Sequence, residues 1–161
     1  MLLQGPHSGG SGLKAFQALA YGSVLSTYTL IVIGAVVRST LSGDACPDWP
    51  TCNGQLIPQL TGKVLIEYTH RLFTLVVTAF VLLTTLTAWV RNRSSRGSLV
   101  FSTASFLALV VQIILGMVTV NTALDPAVVT AHLAVATAVF GLVLVNAVLV
   151  RNLEVRAVRQ G

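Results

Sequence analysis

YTHRLFTLVVTAFVLLTTLTAWVRNR, residues 68–93, decides the fold. Leu72–Val90 holds no charged side chain and has about the 20 residues a helix needs to cross a hydrocarbon core of roughly 30 Å. Three further stretches read the same way, at about Ala15–Val37, Leu99–Val120 and Ala127–Val150. Of the 161 residues, 54% are hydrophobic and 9% charged, with a mean hydropathy of +0.81. A soluble domain would carry roughly a quarter charged residues. The expected fold is therefore an all-α integral membrane protein, a bundle of four transmembrane helices forming a single membrane domain over 1–161. Its spans are expected at about 15–37, 64–90, 99–120 and 126–150, with loop 1 at about 38–63. The first stretch is too long for a signal-peptide core, and no small-residue cleavage site leads from it into a soluble domain. The opening GPHSGGSG (5–12) is flexible in composition, and His7 within it is set aside.

The net charge of +5 is placed as membrane topology places it, not as a nucleic-acid surface would. Arg91, Arg93 and Arg96 fill the second loop, Arg151, Arg156 and Arg159 follow the fourth stretch, and Lys14 precedes the first. The other two loops set Arg38, Lys63 and Arg71 against Asp44, Asp48, Glu67 and Asp125. Basic residues concentrated on one side mark the cytoplasmic face. Both termini and loop 2 are thus expected inside a cytoplasmic membrane, with loops 1 and 3 outside and no nucleic acid as partner.

Cys46 and Cys52 both fall in outward loop 1, with five residues between them. Thiols outside the cell membrane are normally oxidised, so a disulfide clasping this loop is expected. Two free cytosolic thiols are the alternative, which the charge pattern disfavours. The CxxC spacing of a thioredoxin-like redox pair is absent.

The chain carries a short internal repeat. IGAVVRST (33–40) and LGMVTVNT (115–122) align at an offset of 82, pairing Gly34 with Gly116 and Thr40 with Thr122. Each precedes an outward loop and then a helix with a histidine, in YTHR (68–71) and TAHL (130–133). Parallel repeats about an axis along the membrane normal are a known membrane architecture. Two repeated helical hairpins would then form the bundle, with His70 and His132 in equivalent places. A helix starting at Pro126 puts His132 roughly 9 Å inward at 1.5 Å per residue, and one starting near Val64 puts His70 at the same depth. Ionisable groups at such depth are costly and usually functional. Two imidazoles at equal depth can take both axial positions of one haem iron. The alternative for each is a hydrogen bond to a neighbouring helix or a polar mouth.

Gly34 and Gly116 could admit a flat ring or only a neighbouring helix backbone. Gln112, one turn before Gly116, reads as an interhelical hydrogen-bonding group, and Asn146 earns no functional reading. Glu67 lies three residues before His70, on the same helix face at the membrane surface. It could act as a base, relay protons or stabilise positive charge at a haem edge; equally it could complement the helix macrodipole. Arg38 and Arg71 are candidates for haem propionates, or for interfacial anchors. Trp49 and Tyr68 look like interfacial aromatics.

GAVVRSTLSGDACPDWPTC (34–52), IEYTHR (66–71), QIILGMVTVNTAL (112–124) and VVTAHLAVA (128–136) resemble, in order, the motifs of the haem A synthase family. The CPDWP-x-C stretch followed by E-x-x-H-R is the specific part. The resemblance implies oxidation of the C8 methyl group of haem O to a formyl group, giving haem A for terminal oxidases. It implies His70 and His132 as axial ligands, Glu67 as catalytic carboxylate, and Cys46 and Cys52 as the outward disulfide. The haem it implies is substrate haem O, a haem b cofactor, or both. Haem O synthase and a quinone or other electron acceptor are the partners it suggests. Family members usually have eight spans in two similar halves; this chain resembles the half carrying the glutamate, as a short four-helix form. Either a homo-oligomer supplies the second haem site, or one bundle works without it.

Three other functions use parts of the same pattern. A bis-histidine membrane b-type cytochrome acting as electron carrier needs the histidines but not Glu67. A thiol–quinone oxidoreductase needs reactive cysteine pairs, and here one pair has the spacing of a clasp. A haem shuttle would leave bound haem O chemically unchanged.

Overall fold

The computed structural model describes residues 9–91, 93 and 95–160, so His7 lies outside the described part. Four helices follow in order: α1 (Gly9–Ser39), α2 (Gly62–Arg91), α3 (Arg96–Asn121) and α4 (Pro126–Gln160). Within them, Gly12–Ser39, Gly62–Arg91, Arg96–Asn121 and Pro126–Leu153 are each long and apolar enough to cross a membrane. The protein is a multi-pass membrane protein. α1 packs on α2, α2 on α3, α3 on α4 and α4 back on α1, an up-down-up-down ring of helices. Gly9–Gly12, flexible by composition, forms the first turn of α1. Once Leu13 onward is helical, each added residue gains a backbone bond without a new nucleation cost.

Why these segments are helical follows from the solvent. α2 is rich in β-branched residues, which are mediocre helix formers in water. In lipid, every backbone N–H and C=O needs an internal partner, and a helix provides one. The threonines adapt by bonding back into their own helix: Thr74 to the His70 carbonyl (3.1 Å), Thr78 to Thr74 (2.8 Å) and Thr85 to Val81 (2.8 Å).

The interior is small and polar as well as apolar. Phe16, Ala20, Ala88, Ala147 and Val150 pack near the arginine-rich end, and Val77, Val81, Leu109 and Val143 midway along. Ser23, Thr84, Thr85, Ser98, Ser102 and Ser105 are buried among them. Large side chains such as Leu25, Leu75 and Leu107 instead point outward, each at least 60% exposed. Small residues inside and bulky apolar residues outside is the arrangement expected where lipid, not water, surrounds the helices.

The repeat extends to individual hydrogen bonds. At the end of α1, Ser42 N–H bonds the Val37 carbonyl (3.0 Å) and Leu41 N–H the Arg38 carbonyl (3.3 Å). At the end of α3, Leu124 N–H bonds Thr119 (2.9 Å) and Ala123 N–H bonds Val120 (3.0 Å). These are two copies of one Schellman cap, with Leu41 and Ala123 left-handed at φ 50° and 52°. Thr40 and Thr122 each bond back to the carbonyl four residues earlier, at 2.7 and 2.8 Å.

α4 starts where Asp125 caps it. The carboxylate accepts from Ala127 N–H (2.9 Å) and Val128 N–H (3.2 Å), and Pro126 takes the first helical position. Loop 1 folds over the same end. Cys46 and Cys52 form a disulfide with Cα atoms 4.5 Å apart, both fully buried. Cys52 and Gln55 exchange backbone bonds of 2.9 and 3.1 Å around Asn53-Gly54, whose positive φ values (54° and 75°) suit a type I′ turn.

Candidate functional site

The histidine end of the bundle places an imidazole against each repeat glycine. A Cβ added at Gly34 of α1 would come within 3.1 Å of His70 Cε1; one added at Gly116 of α3 would come within 3.3 Å of His132 Cε1. Each histidine on the second helix of a hairpin thus lies over a bare patch of the first. Glycine leaves room for the ring edge at this separation, where any Cβ would press on it. The Nδ1 atoms of both rings are buried and have no hydrogen-bond partner among the described residues.

Among the described residues Gln112 supplies the one polar contact to either ring, its Nε2 lying 3.0 Å from His132 Nε2. It bonds across helices, as its position within α3 leads one to expect. An amide nitrogen donates, so in this orientation His132 Nε2 accepts and the ring proton sits on Nδ1. At the repeat offset of 82, Leu30 stands where Gln112 would be in the first hairpin.

Glu67 is 5% exposed and accepts a hydrogen bond from Arg71 Nε at 2.8 Å, an ion pair one helical turn long. No equivalent exists in the second hairpin, where Val129 and Leu133 stand before and after His132 at the corresponding places. Arg71 also reaches loop 1. Its Nη1 donates to the carbonyls of Asp48 (2.7 Å) and Thr51 (2.8 Å), and its Nη2 to that of Cys46 (2.6 Å). Arg38 is exposed at the last turn of α1 and forms no ion pair among the described residues.

Sequence reasoning missed the loop-holding groups. Arg71 read as a propionate ligand or anchor, and nothing in its spacing announces three backbone carbonyls 20 to 25 residues upstream. Asp48 read only as a charge; its carboxylate accepts from Asn53 N–H (2.6 Å), Gly54 N–H (2.9 Å) and the Thr51 hydroxyl. The hydroxyl of Thr51 first, then the Gly54 amide, hold the Asp48 carboxyl down at about 2 from its ordinary 3.8. The signal for that turn was present in Pro47-Asp48 and Asn53-Gly54. Tyr68, read as an interfacial aromatic, donates its hydroxyl to the Leu56 carbonyl and so pins the far side of loop 1.

A bare metal ion would need more protein ligands than two imidazoles. Among the described residues no group of three His, Cys, Asp or Glu could hold one. A porphyrin brings its own equatorial nitrogens and asks the protein only for axial ligands. Two buried imidazoles at one end of the bundle fit that demand, His70 through a ring nitrogen without a partner among the described residues and His132 through the Nε2 lone pair once Gln112 turns away.

Comparison with known proteins points the same way. Residues 17–64 and 59–160 match the family described as cytochrome oxidase assembly protein. A protein of Listeria welshimeri named Heme A synthase is 29% identical over 138 residues, 82% of this chain and 45% of its own length. Proteins of the same name from Lysinibacillus sphaericus and Symbiobacterium thermophilum are 43% and 44% identical over 76 and 52 residues. Those matches cover 44% and 32% of this chain, and 25% and 17% of the relatives. The chain spans about half the length of the first curated relatives it matches. With both matched segments running through the loops and helices described above, the chain belongs to the cytochrome oxidase assembly protein family.

Proposed function

We propose that the chain works as a haem A synthase, converting the C8 methyl group of haem O to a formyl group in the cytoplasmic membrane. The observation that carries this reading is an asymmetry. Two glycine-backed imidazoles are related by the repeat, but a buried carboxylate accompanies only one of them, Glu67 beside His70. An electron-carrying b-type cytochrome needs the imidazoles and has no use for the carboxylate.

In this proposal His70 and His132 hold the haem and orient its edge, and Arg38 is the free guanidinium nearest the role of a propionate partner. The haem supplies the redox-active iron when bound. Glu67 takes the proton as water adds to the methyl carbon, and its charge, set in a poorly screened site, offsets the positive charge that develops there. Each round breaks one C–H bond and one O–H bond of water, forms one C–O bond and releases two electrons and two protons; a quinone or another carrier takes the electrons, one proton passes to Glu67 and the other goes to the reduced acceptor or to bulk water. Two rounds give the hydrated aldehyde, which loses water. A haem O synthase would deliver the substrate. A homo-oligomer would supply a further haem site.

The test is the pigment carried by the purified protein. His70→Ala or His132→Ala is expected to abolish a low-spin bis-histidine spectrum. Glu67→Gln is expected to keep that spectrum and form no haem A, as read by mass spectrometry of the extracted haem. Conversion by Glu67→Gln at the wild-type rate would sink the proposal.

A further inference from the structure

We infer that Arg71 is a positioning residue through which the disulfide ring of loop 1 sets the orientation of Glu67; this rests on reading Glu67 as the reacting carboxylate. One guanidinium joins two parts of the molecule. Its Nε holds Glu67 Oε1 at 2.8 Å, while Nη1 and Nη2 donate to the carbonyls of Cys46, Asp48 and Thr51 at 2.6–2.8 Å. All three carbonyls belong to the short ring that the Cys46–Cys52 bond closes.

The arrangement is specific in several ways. An i,i+4 Glu–Arg pair on a helix is by itself loose and worth a few tenths of a kcal/mol. Here the arginine side chain is only 12% exposed and the glutamate 6%, and the carbonyl crown removes the arginine's freedom to swing. Carbonyls repel one another, so three of them converge on one point where the chain turns sharply and donors fill the centre. The disulfide provides the turn and Arg71 the donors. Glu67 Oε2 makes no hydrogen bond among the described residues, so the crown fixes the carboxyl group by one oxygen and leaves the other to act. Lysine cannot substitute: a single ammonium cannot span the fork from Nε to both Nη positions. The second hairpin has Leu133 at this place and a loop 3 without cysteines, so the device is confined to the side that bears the carboxylate.

The proposal is tested on the full-length chain by comparing Arg71→Gln, Arg71→Lys, the Cys46→Ser/Cys52→Ser pair, and their combinations. Arg71→Gln and Arg71→Lys are expected to slow haem O turnover by about tenfold to a hundredfold, the size of loss that small misplacements cause. The KM for haem O and the bis-histidine spectrum are expected to stay unchanged. The cysteine pair should give a similar loss, and the combination with Arg71→Gln no further loss. Multiplying losses, or a raised KM at unchanged kcat, would overturn the inference in favour of separate roles or of propionate binding. A second readout does not depend on turnover. The infrared carboxyl band of Glu67, assigned by its loss in Glu67→Gln, should shift alike in Arg71→Gln and in the cysteine pair. A band unmoved by loss of the disulfide overturns the inference whether or not haem A is formed. The expected band shifts in both variants, beside a wild-type protein that converts no haem O, would instead fault the synthase reading. Should Arg71→Gln fail to fold, the cysteine pair carries the infrared test alone.

Discussion

Gly34 and Gly116 hold the two imidazoles at van der Waals range, so each is a sharp probe of the site. Alanine at either place gains helix propensity of up to about 1 kcal/mol. At Gly116 the new Cβ sits 3.3 Å from the ring and asks for a small shift; at Gly34 it sits 3.1 Å away and asks for more. Gly116→Ala is expected to keep the haem spectrum and thermal stability, whereas Gly34→Val, with a branched carbon, should displace His70 and lose the bis-histidine bands. Visible absorption decides it, and a wild-type spectrum in Gly34→Val would refute the packing argument. Asp48 gives a pH prediction. Its carboxyl is lowered to about 2 from 3.8, so its bonds to Thr51, Gly54 and Asn53 favour the folded loop fully above pH 3.8. That contribution is lost as pH falls from 3.8 towards 2. Trp49 emission should report loop opening across that window, and Asp48→Asn should remove the dependence. At this scale the sequence reveals residues whose chemistry is rare in lipid, His70, His132 and Glu67. It conceals Arg71, because the groups that define its role are backbone carbonyls, identical in every residue and placed only by the folded loop.

Helix ends decide how the elements present these residues. Asp125 caps α4 with two backbone amides, so Asp125→Ala is expected to cost about 1 kcal/mol. Chemical denaturation in detergent would measure it, and a value near zero would mean the cap is not holding α4. Leu41 and Ala123 occupy the left-handed cap positions without being glycine. Such a residue is strained by about 1–2 kcal/mol, against about 0.5–1 kcal/mol of extra unfolded-state entropy for glycine. Ala123→Gly should therefore be neutral to slightly stabilising in the same assay. The helices are readable from sequence because lipid permits few alternatives: an uncharged run of about 20 residues has to form backbone bonds within itself. Their ends are less readable. α4 runs on to Gln160 through a charged segment, since polar residues outside the membrane neither require nor forbid more turns. In loop 1 the disulfide and the turn residues are legible in advance; its remaining shape depends on Arg71 and Tyr68 reaching up from α2.

Across the whole bundle, the buried hydroxyls link helices as well as bonding within them. Ser23 of α1 meets Thr84 of α2 at 3.1 Å, and Thr85 of α2 donates to the Ser102 carbonyl of α3 at 3.0 Å. Asn146 of α4 faces this polar layer with its Oδ1 buried and unpartnered. An unsatisfied buried acceptor costs about 1–3 kcal/mol, so Asn146→Leu, of the same branching, should raise the melting temperature and leave haem binding alone. A lowered melting temperature would show that Asn146 has a partner. The ring of neighbours α1–α2–α3–α4 makes the molecule nearly a doubled hairpin, down to its matching caps. Its departures from that doubling, Glu67 against Val129 and Gln112 against Leu30, sit beside the imidazoles. A macrocycle with unlike edges, dropped into a seat with identical halves, would settle heads or tails with equal ease. Joining unequal hairpins in one chain would break that tie, so that under the proposed function a chosen rim of the pigment would always meet the same wall.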